Sequence, residues 1–468
     1  MPARPRPAAG GRPPTGQRLP PALVVGSGGR EHALAWALER SGRFSRVWVA
    51  PGNGGTPHNV PVELADPGAV DSLIAFAREQ DVGLVVIGPE APLAAGMADR
   101  LREAGLFVVG PSRAAARIES SKAFAKVLMD RAGVPTAPFR IFSEPERALA
   151  YVRKADRPLV VKADGLAAGK GALVCDTARQ AAEAVESLMV RRSLGDAGRT
   201  VVIEERLQGS ELSIMVITDG ERAVALPPAR DYKRLLDGDA GPNTGGMGAV
   251  APVRLAGARA NAGGGAAEDP EAHVSLEDVL SRIVYPTLQA LAAAGSRFTG
   301  ILYAGLMLTP QGPFVLEFNC RAGDPETQAQ VPLVDPESLA EALMAAAGVP
   351  GFRLPDGPHA LWPRAGESEA EVRHAVCVVL ACAGYPAKSR TGDVIERMPP
   401  EDSGEQPRSL VFHAGSRARP DGWIETAGGR VLNVVGLGAS RAEARRRAYE
   451  TAARVHFAGM QYRTDIGK

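Results

Sequence analysis

The chain reads as an α/β protein with an N-terminal doubly wound parallel sheet domain, a central α+β module and a smaller, mostly β C-terminal domain with a helix. Three observations predict it. Apolar runs without internal alternation are separated by helical patterns from residue 22 to residue 109, as strands buried on both faces of a parallel sheet require. Beyond residue 120, strand-like runs crowd around a glycine-rich turn at 164–171. After residue 351, three further strand-like runs lead into one closing helical pattern.

Composition bounds the class. With 468 residues, 45% of them hydrophobic, the chain is long enough for several cores. Its formal charge of +1 predicts neither a nucleic-acid nor a membrane partner. Cys175, Cys320, Cys377 and Cys382 lack the close paired spacing of a zinc site, and no secretory signal or long apolar span accompanies them. A cytoplasmic protein with reduced thiols is expected. Residues 1–20, rich in Pro, Arg and Gly, read as a disordered extension; a transit peptide is the alternative, opposed by the proline density.

The first unit, 21–119, starts with strand Ala22–Val25, the turn Gly26-Ser27-Gly28-Gly29 and a helix over Glu31–Leu38. Strand 47–49, helix 70–78, strand 84–87, helix 93–104 and strand 107–109 continue the alternation. Ligands bind at the carboxyl ends of such strands, so the turns Gly26–Arg30, Pro51–Thr56 and Gly88-Pro89-Glu90 should converge on one crevice. The dinucleotide spacing G-x-G-x-x-G fails at its last position, where Glu31 stands. The helix start, with Arg30 and His32 beside it, suits a phosphosugar instead. A tight turn whose glycines serve only packing is the alternative for this segment.

The second unit, 120–346, opens on a helix capped by Ser121 and running to about Ala132. Strands 159–161, 172–175 and 201–205 and a helix over 179–189 form a lid, about 135–206, hinged at Glu204–Leu207. Strands 211–218 and 223–226, a polar loop 231–248, a mobile Ala/Gly loop about 254–273, a helix 276–293 and strands 302–308 and 314–318 complete it. The third unit, 347–468, has strands at 375–381, 410–413 and 430–435 and a helix at 442–455.

Two distant segments look like the halves of an ATP site. Val161–Gly171 places Lys162 and Lys170 around a glycine-rich turn, where backbone N–H groups can approach anionic oxygens. In Glu317-Phe318-Asn319, strand periodicity puts two hard oxygen ligands for Mg²⁺ on one face and the phenyl ring in the core, with Arg321 on the ligand face.

These segments, together with Gly28–Ala33, Ala50–Asn53, Gly88–Leu93, Gly241–Ala249, Phe412–Gly415 and Gly428–Leu432, stand in one order from residue 22 to residue 467, and in that order the chain resembles the glycinamide ribonucleotide synthetase family of the ATP-grasp superfamily. The resemblance implies an ATP-dependent ligation of glycine to 5-phosphoribosylamine through an acyl phosphate, by a monomer. It implies Mg²⁺ (or Mn²⁺) on Glu317 and Asn319, phosphate contacts from Lys122, Lys162 and Lys170, and a lid made of Asp164, Gly165, Gly169 and Gly171. Adenine would meet Glu204, Glu205 and Leu207, and the ribose Glu211. Phosphoribosylamine would meet Gly29, Arg30, Glu31, His32, Asn53, Glu90, Lys233 and Asn243. Arg321, near Asp324, would clamp the glycine carboxylate and then the developing acyl phosphate, with Lys162 and Lys122 assisting catalysis. Ser27, Tyr232 and Ala322 stand where the family usually has Asn, His and Phe, and none removes a charge that the chemistry needs. Another ATP-grasp ligase, or a nucleotide-binding regulator that has lost catalysis, are the rival readings. The first is opposed by residues 22–110 and 241–249, the second by the presence of Glu317, Asn319, Arg321 and the lysines.

Overall fold

The computed structural model describes residues 18–167, 169–255, 274–357, 359, 361–362, 373–400, 402, 404 and 407–468. Most of the expected extension and of the Ala/Gly loop, residues 1–17 and 256–273, lies outside them. Residue 19 differs from expectation: Leu19 is bridged to Phe44, so regular pairing starts before position 21.

The apolar runs of the first unit form a four-stranded parallel sheet in the order β2-β1-β3-β4, where β1 is Ala22–Gly26, β2 Val47–Pro51, β3 Leu84–Ile87 and β4 Val108–Val109. Every residue of β1 and β3 is buried, which is why neither alternates. Helices α1 (Gly29–Arg40) and α2 (Ala69–Glu79) follow β1 and β2. The helix expected at 93–104 begins earlier and is broken into α3 (Glu90–Ala95) and α4 (Met97–Glu103), because Gly96 adopts φ 90° between them. A helix not expected, α5 (Arg113–Ser120), is capped by the Ser112 hydroxyl and runs into α6 (Lys122–Arg131), capped by Ser121.

The lid is an antiparallel sheet, β5-β8-β6-β7, built from β5 (Phe139–Phe142), β6 (Leu159–Ala163), β7 (Ala172–Cys175) and β8 (Val201–Glu205) and covered by α7 (Pro145–Val152) and α8 (Ala178–Val185). Its apolar core, from Ala148 to Ile203, is separate from the others. Beneath it lies the sheet β10-β9-β15-β16, with β9 (Ser210–Thr218), β10 (Ala223–Ala225), β15 (Gly300–Thr309) and β16 (Gly312–Asn319). Between β15 and β16 the register shifts: Gly305 faces Glu317 but Leu306 faces Val315, so Leu316 is an extra, bulged residue.

The polar stretch expected as a loop at 231–248 is instead paired. It contains β11 (Arg230–Asp231), the hairpin of β12 (Arg234–Leu236) with β13 (Ala240–Asn243), and then β14 (Gly248–Ala251). β11 and β14 join a sheet otherwise made by the C-terminal segment, β11-β14-β17-β22-β19, in which β17 is His374–Ala381, β19 Ser409–His413 and β22 Arg430–Gly438. The closing helix α13 (Arg441–Ala452) packs on it. Among the described residues, no helix is long and apolar enough to cross a membrane.

Candidate active site at the meeting of three units

The turn after β1 is shaped by a carboxylate. Glu31, 2% exposed, folds back so that its Oε2 accepts the Gly28 amide at 2.7 Å, while its Oε1 faces the Arg30 guanidinium. A Cβ on Gly88 would lie 1.9 Å from that Oε1, and one on Gly26 2.5 Å from Glu31 Cγ. The amide that a bound phosphate would use is therefore occupied by the protein's own anion, and Arg30 is spent on Glu31 and on the Ala322 carbonyl, 3.1 Å away. Arg30 and Glu31, both expected at the substrate, are thus tied to each other and to the turn. Both hold the turn.

Asn53 is likewise hydrogen-bonded within the protein. Its amide nitrogen donates to Ser27 O at 2.9 Å and His413 O at 2.8 Å, and its oxygen accepts from Gly55 and Thr56. Its side chain closes the 53–56 turn, reaches the turn after β1 through Ser27, and through His413 joins the first unit to β19. Beside it, His32 Nδ1 accepts from the His413 amide at 2.9 Å, which fixes His32 as the neutral ring with its proton on Nε2. Burial, and then the neighbouring His413, pull His32 down to about 3; burial pulls His413 down to about 4.

On β16 the alternation is as expected: Phe318 is buried, and Glu317 and Asn319 point to the other face. The Glu317 carboxylate makes no ion pair among the described residues. Burial alone would raise it, but Lys122, Lys233, Lys162 and Arg321 outweigh that and hold it below the usual carboxylate range. Among the described residues no cluster of three or more His, Cys, Asp or Glu side chains forms a metal cage. Two hard oxygens beside four cations instead fit a divalent ion that completes its shell with phosphate oxygens and water.

Lys162 is held in place by two acceptors. Its Nζ donates to the carbonyl of the bulged Leu316 at 3.0 Å and pairs with Glu204. Glu204, 3% exposed, also pairs with Lys126, a residue that sequence reasoning missed. Burial lowers Lys126 to about 8, with Glu204 opposing the shift. The Glu204 side chain is thus a buried counterion, and only its backbone is left to meet a base. Glu205 is paired to Arg157 at 2.9 Å, and Leu207 is half-buried.

Asp164 is also hydrogen-bonded within the protein. Its carboxylate accepts from Ser121 Oγ at 2.9 Å and from the Ala123 amide at 2.7 Å, and its carbonyl from the Lys122 amide at 3.0 Å. It anchors the start of α6 and so positions Lys122. Beyond it the lid turn runs close to the 241–249 segment: Gly169 has φ 76°, and a Cβ there would come 3.3 Å from Thr244 O. Gly165 abuts Ala197, Gly171 abuts Ala167, and Lys170 is exposed.

Lys233 lies among acidic residues of β9 and β11. It pairs with Glu211 and, at 3.5 Å, with Asp231. Burial, reinforced by Glu326, Glu211 and Glu317 and opposed by Lys233, brings Asp231 up to about 7. Asn243 pairs with Arg234 in the hairpin.

Arg321 sits in a carboxylate fork. Its Nη2 is 2.9 Å from Glu119, its Nε 3.3 Å from Glu90 and its Nη1 3.1 Å from Ala322 O. Glu119, on α5, was not anticipated. Asp324 meets Arg430 of β22 at 3.1 Å and Gln328 at 2.7 Å, and lies beside Gly28, where a Cβ would be 3.4 Å from its Oδ2. The turn after β1, the loop after β16 and the start of β22 therefore share one junction.

Family models of the phosphoribosylglycinamide synthetase N domain, ATP-grasp (A) domain and C domain match residues 21–119, 120–327 and 375–468. The chain belongs to the phosphoribosylglycinamide synthetase family. A phosphoribosylamine–glycine ligase of Ralstonia nicotianae is 46% identical over 95% of this chain and 98% of its own length, and one of Rhodopirellula baltica 44% identical over 95% and 96%. The crystal structure of a phosphoribosylamine–glycine ligase from Thermotoga maritima has a TM-score of 0.77 at 36% identity, covering 95% of this chain and 99% of that one. The biotin carboxylase domain of a Hydrogenobacter thermophilus 2-oxoglutarate carboxylase, 15% identical with a TM-score of 0.66 over 95% and 92%, shares the fold. The expected α/β architecture with a central ATP-grasp domain is met, and the activity that goes with this family is an ADP-forming ligation in purine biosynthesis.

Proposed function

We propose that the chain joins glycine to 5-phosphoribosylamine through a glycyl phosphate, converting ATP to ADP and phosphate and releasing glycinamide ribonucleotide. The reading is carried by the Glu317 carboxylate, which shares a strand face with Asn319 and sits in the field of Lys122, Lys162, Lys233 and Arg321. A carboxylate resists attack by an amine. A glycine oxygen first attacks the γ-phosphorus and ADP departs; the amine nitrogen then attacks the carbonyl carbon, loses a proton, and phosphate departs. Positioning and charge neutralisation supply nearly all the help a protein can give the first step, so no nucleophilic side chain is needed. Burial pushes the nearby Cys320 thiol well up, which suits a bystander.

In this reading Glu317 and Asn319 hold Mg²⁺ or Mn²⁺, which when bound offsets the polyphosphate charge. Lys122, Lys162 and Lys170 take phosphate oxygens, and the backbone at Gly165, Gly169 and Gly171 closes above them. The Glu204, Glu205 and Leu207 backbone receives adenine, and Glu211 the ribose. Gly29, Arg30, Glu31, His32, Asn53, Glu90, Lys233 and Asn243 border the phosphoribosylamine crevice, with Asp324 beside them. Arg321 orients the glycine carboxylate. The working units are 21–119, 120–346 with its lid at 135–206, and 347–468, in a cytoplasmic monomer.

The test is ADP release by purified protein with Mg²⁺-ATP and freshly generated phosphoribosylamine, with and without glycine, while product is followed by mass. Glycine-dependent ADP matched by equal glycinamide ribonucleotide is expected. ADP formed without that product would overturn the assignment of substrates.

A further inference from the structure

We propose that Glu119 is the positioning residue that makes Asn319 a metal ligand and locks that ligand in register with Arg321. The inference rests on the reading that Glu317 and Asn319 form the metal platform, and it concerns a residue that has no role in that reading so far.

Glu119 lies on the inward face of α5, 6% exposed, and holds three consecutive residues of the segment that leaves β16. Its Oε1 meets the Arg321 Nη2 at 2.9 Å, and its Oε2 accepts the Cys320 amide at 2.7 Å, across 201 residues of sequence. The third contact carries the inference. With the Asn319 amide turned so that its nitrogen and not its oxygen faces these acceptors, that nitrogen donates to Glu119 Oε1 at 3.1 Å and to the Phe318 carbonyl at 3.2 Å.

A carboxamide has nearly the same shape either way round, so only its hydrogen-bonding partners decide which end faces where. Both partners here are acceptors without a proton to give. The amide nitrogen must face them, and the Asn319 oxygen must face away from Glu119. A hard divalent cation binds oxygen and not an amide nitrogen, so an inverted Asn319 would remove one of the two protein ligands without moving an atom of the backbone. Partners that orient metal ligands in this way typically govern metal affinity by 10- to 100-fold. Because the same carboxylate grips Arg321, metal and guanidinium are set by one group, so the phosphate and the carboxylate being activated share one frame of reference.

A bland alternative is that Glu119 serves only as the counterion of Arg321. The two are separable, because an aspartate at position 319 has two equivalent oxygens and no wrong way round. The experiment measures Mn²⁺ binding to the full chain in the presence of ADP by electron paramagnetic resonance, without turnover, so it is independent of which amine and acid are joined. Glu119→Gln can donate to Asn319 and permit the inversion; Mn²⁺ affinity should fall by about 10- to 100-fold while metal-free ADP binding stays within about threefold. Combining Glu119→Gln with Asn319→Asp should bring Mn²⁺ affinity back to within about threefold of Asn319→Asp alone, a coupling that a double-mutant cycle isolates. Parent-like Mn²⁺ affinity in Glu119→Gln overturns the proposal, and so does a double variant that binds Mn²⁺ as weakly as Glu119→Gln. If Glu119→Gln alone fails to show a cooperative thermal transition, the double variant against Asn319→Asp decides: equal affinities support the orienting role, and a further tenfold loss removes it. Failure to make glycinamide ribonucleotide with these Mn²⁺ results intact would count against the substrates and not against Glu119.

Discussion

Arg430, at the start of β22, donates to the Asp324 carbonyl at 2.8 Å and faces the Asp324 carboxylate at 3.1 Å. The C-terminal segment thereby reaches the loop that follows the metal platform. Burial would raise the Asp324 carboxyl, but Arg430, then Arg30, hold it below its ordinary range. Arg430→Ala leaves that carboxylate enclosed without its main counterion. A loss of about 3–5 kcal/mol is expected, as for other broken buried pairs, together with a drop in kcat. Urea unfolding and steady-state kinetics check it, and Arg430→Lys should recover only part because it lacks the planar fork.

Glu204 neutralises two buried lysines, Lys126 and Lys162. Its removal in Glu204→Gln leaves excess positive charge that a polyphosphate can balance. The variant should be less stable by about 3–5 kcal/mol without nucleotide, and ADP should raise its melting temperature more than it raises that of the parent. Equal ADP-induced shifts in a thermal melt would argue against Lys162 as a phosphate ligand.

His32 and His413 are held neutral, near 3 and 4, whereas an unfolded histidine titrates near 6.5. Between about pH 6.5 and 4 the unfolded chain takes up protons that the folded chain refuses, so stability is full above pH 6.5 and falls as pH drops. His32→Asn keeps an oxygen to accept the His413 amide but has nothing to protonate. The slope of unfolding free energy against pH in that window should lessen by up to about 1.4 kcal/mol per unit. Urea titrations at pH 7, 6 and 5 would expose an unchanged slope, which would discard the histidine account.

Glu317→Ala should lower turnover at least about a thousandfold by removing metal ligation, and Arg321→Ala should cost kcat about 10²–10³ while ADP affinity changes a few-fold. Calorimetric ADP binding beside steady-state rates separates the two. Near-parent turnover by either variant would end the role assigned to it.

Strand periodicity was enough to place Phe318 inward with Glu317 and Asn319 outward, because it depends on spacing of a few residues. Glu119, Lys126 and Arg430 were not legible, since their partners are set by tertiary packing and lie far off in sequence. The hairpin at 234–243 was hidden by Asp, Gly and Pro, residues poor in strand preference, whose pairing is supplied by a partner strand. Helices α5 and α7 did carry local signals, a Ser112 cap and a proline at the first turn of Pro145–Val152, that apolar periodicity alone passes over. The hydrogen bonds by which Asn53, Arg30 and Asp164 hold their turns were not legible either, since their partners Ser27, Ala322 and Ala123 lie 26 to 292 residues away.

The carboxylate of Glu31 also stands where the dinucleotide spacing would have its last glycine. Gly26 and Gly28 already occupy the first two places of the dinucleotide fingerprint, and glycine at 31 would fill the third. One side chain, tethered at the helix start as an anion, is what departs from that spacing. Gly26 and Gly88 are moulded around that side chain, so two glycines outside the helix owe their place to the room an acid inside it needs.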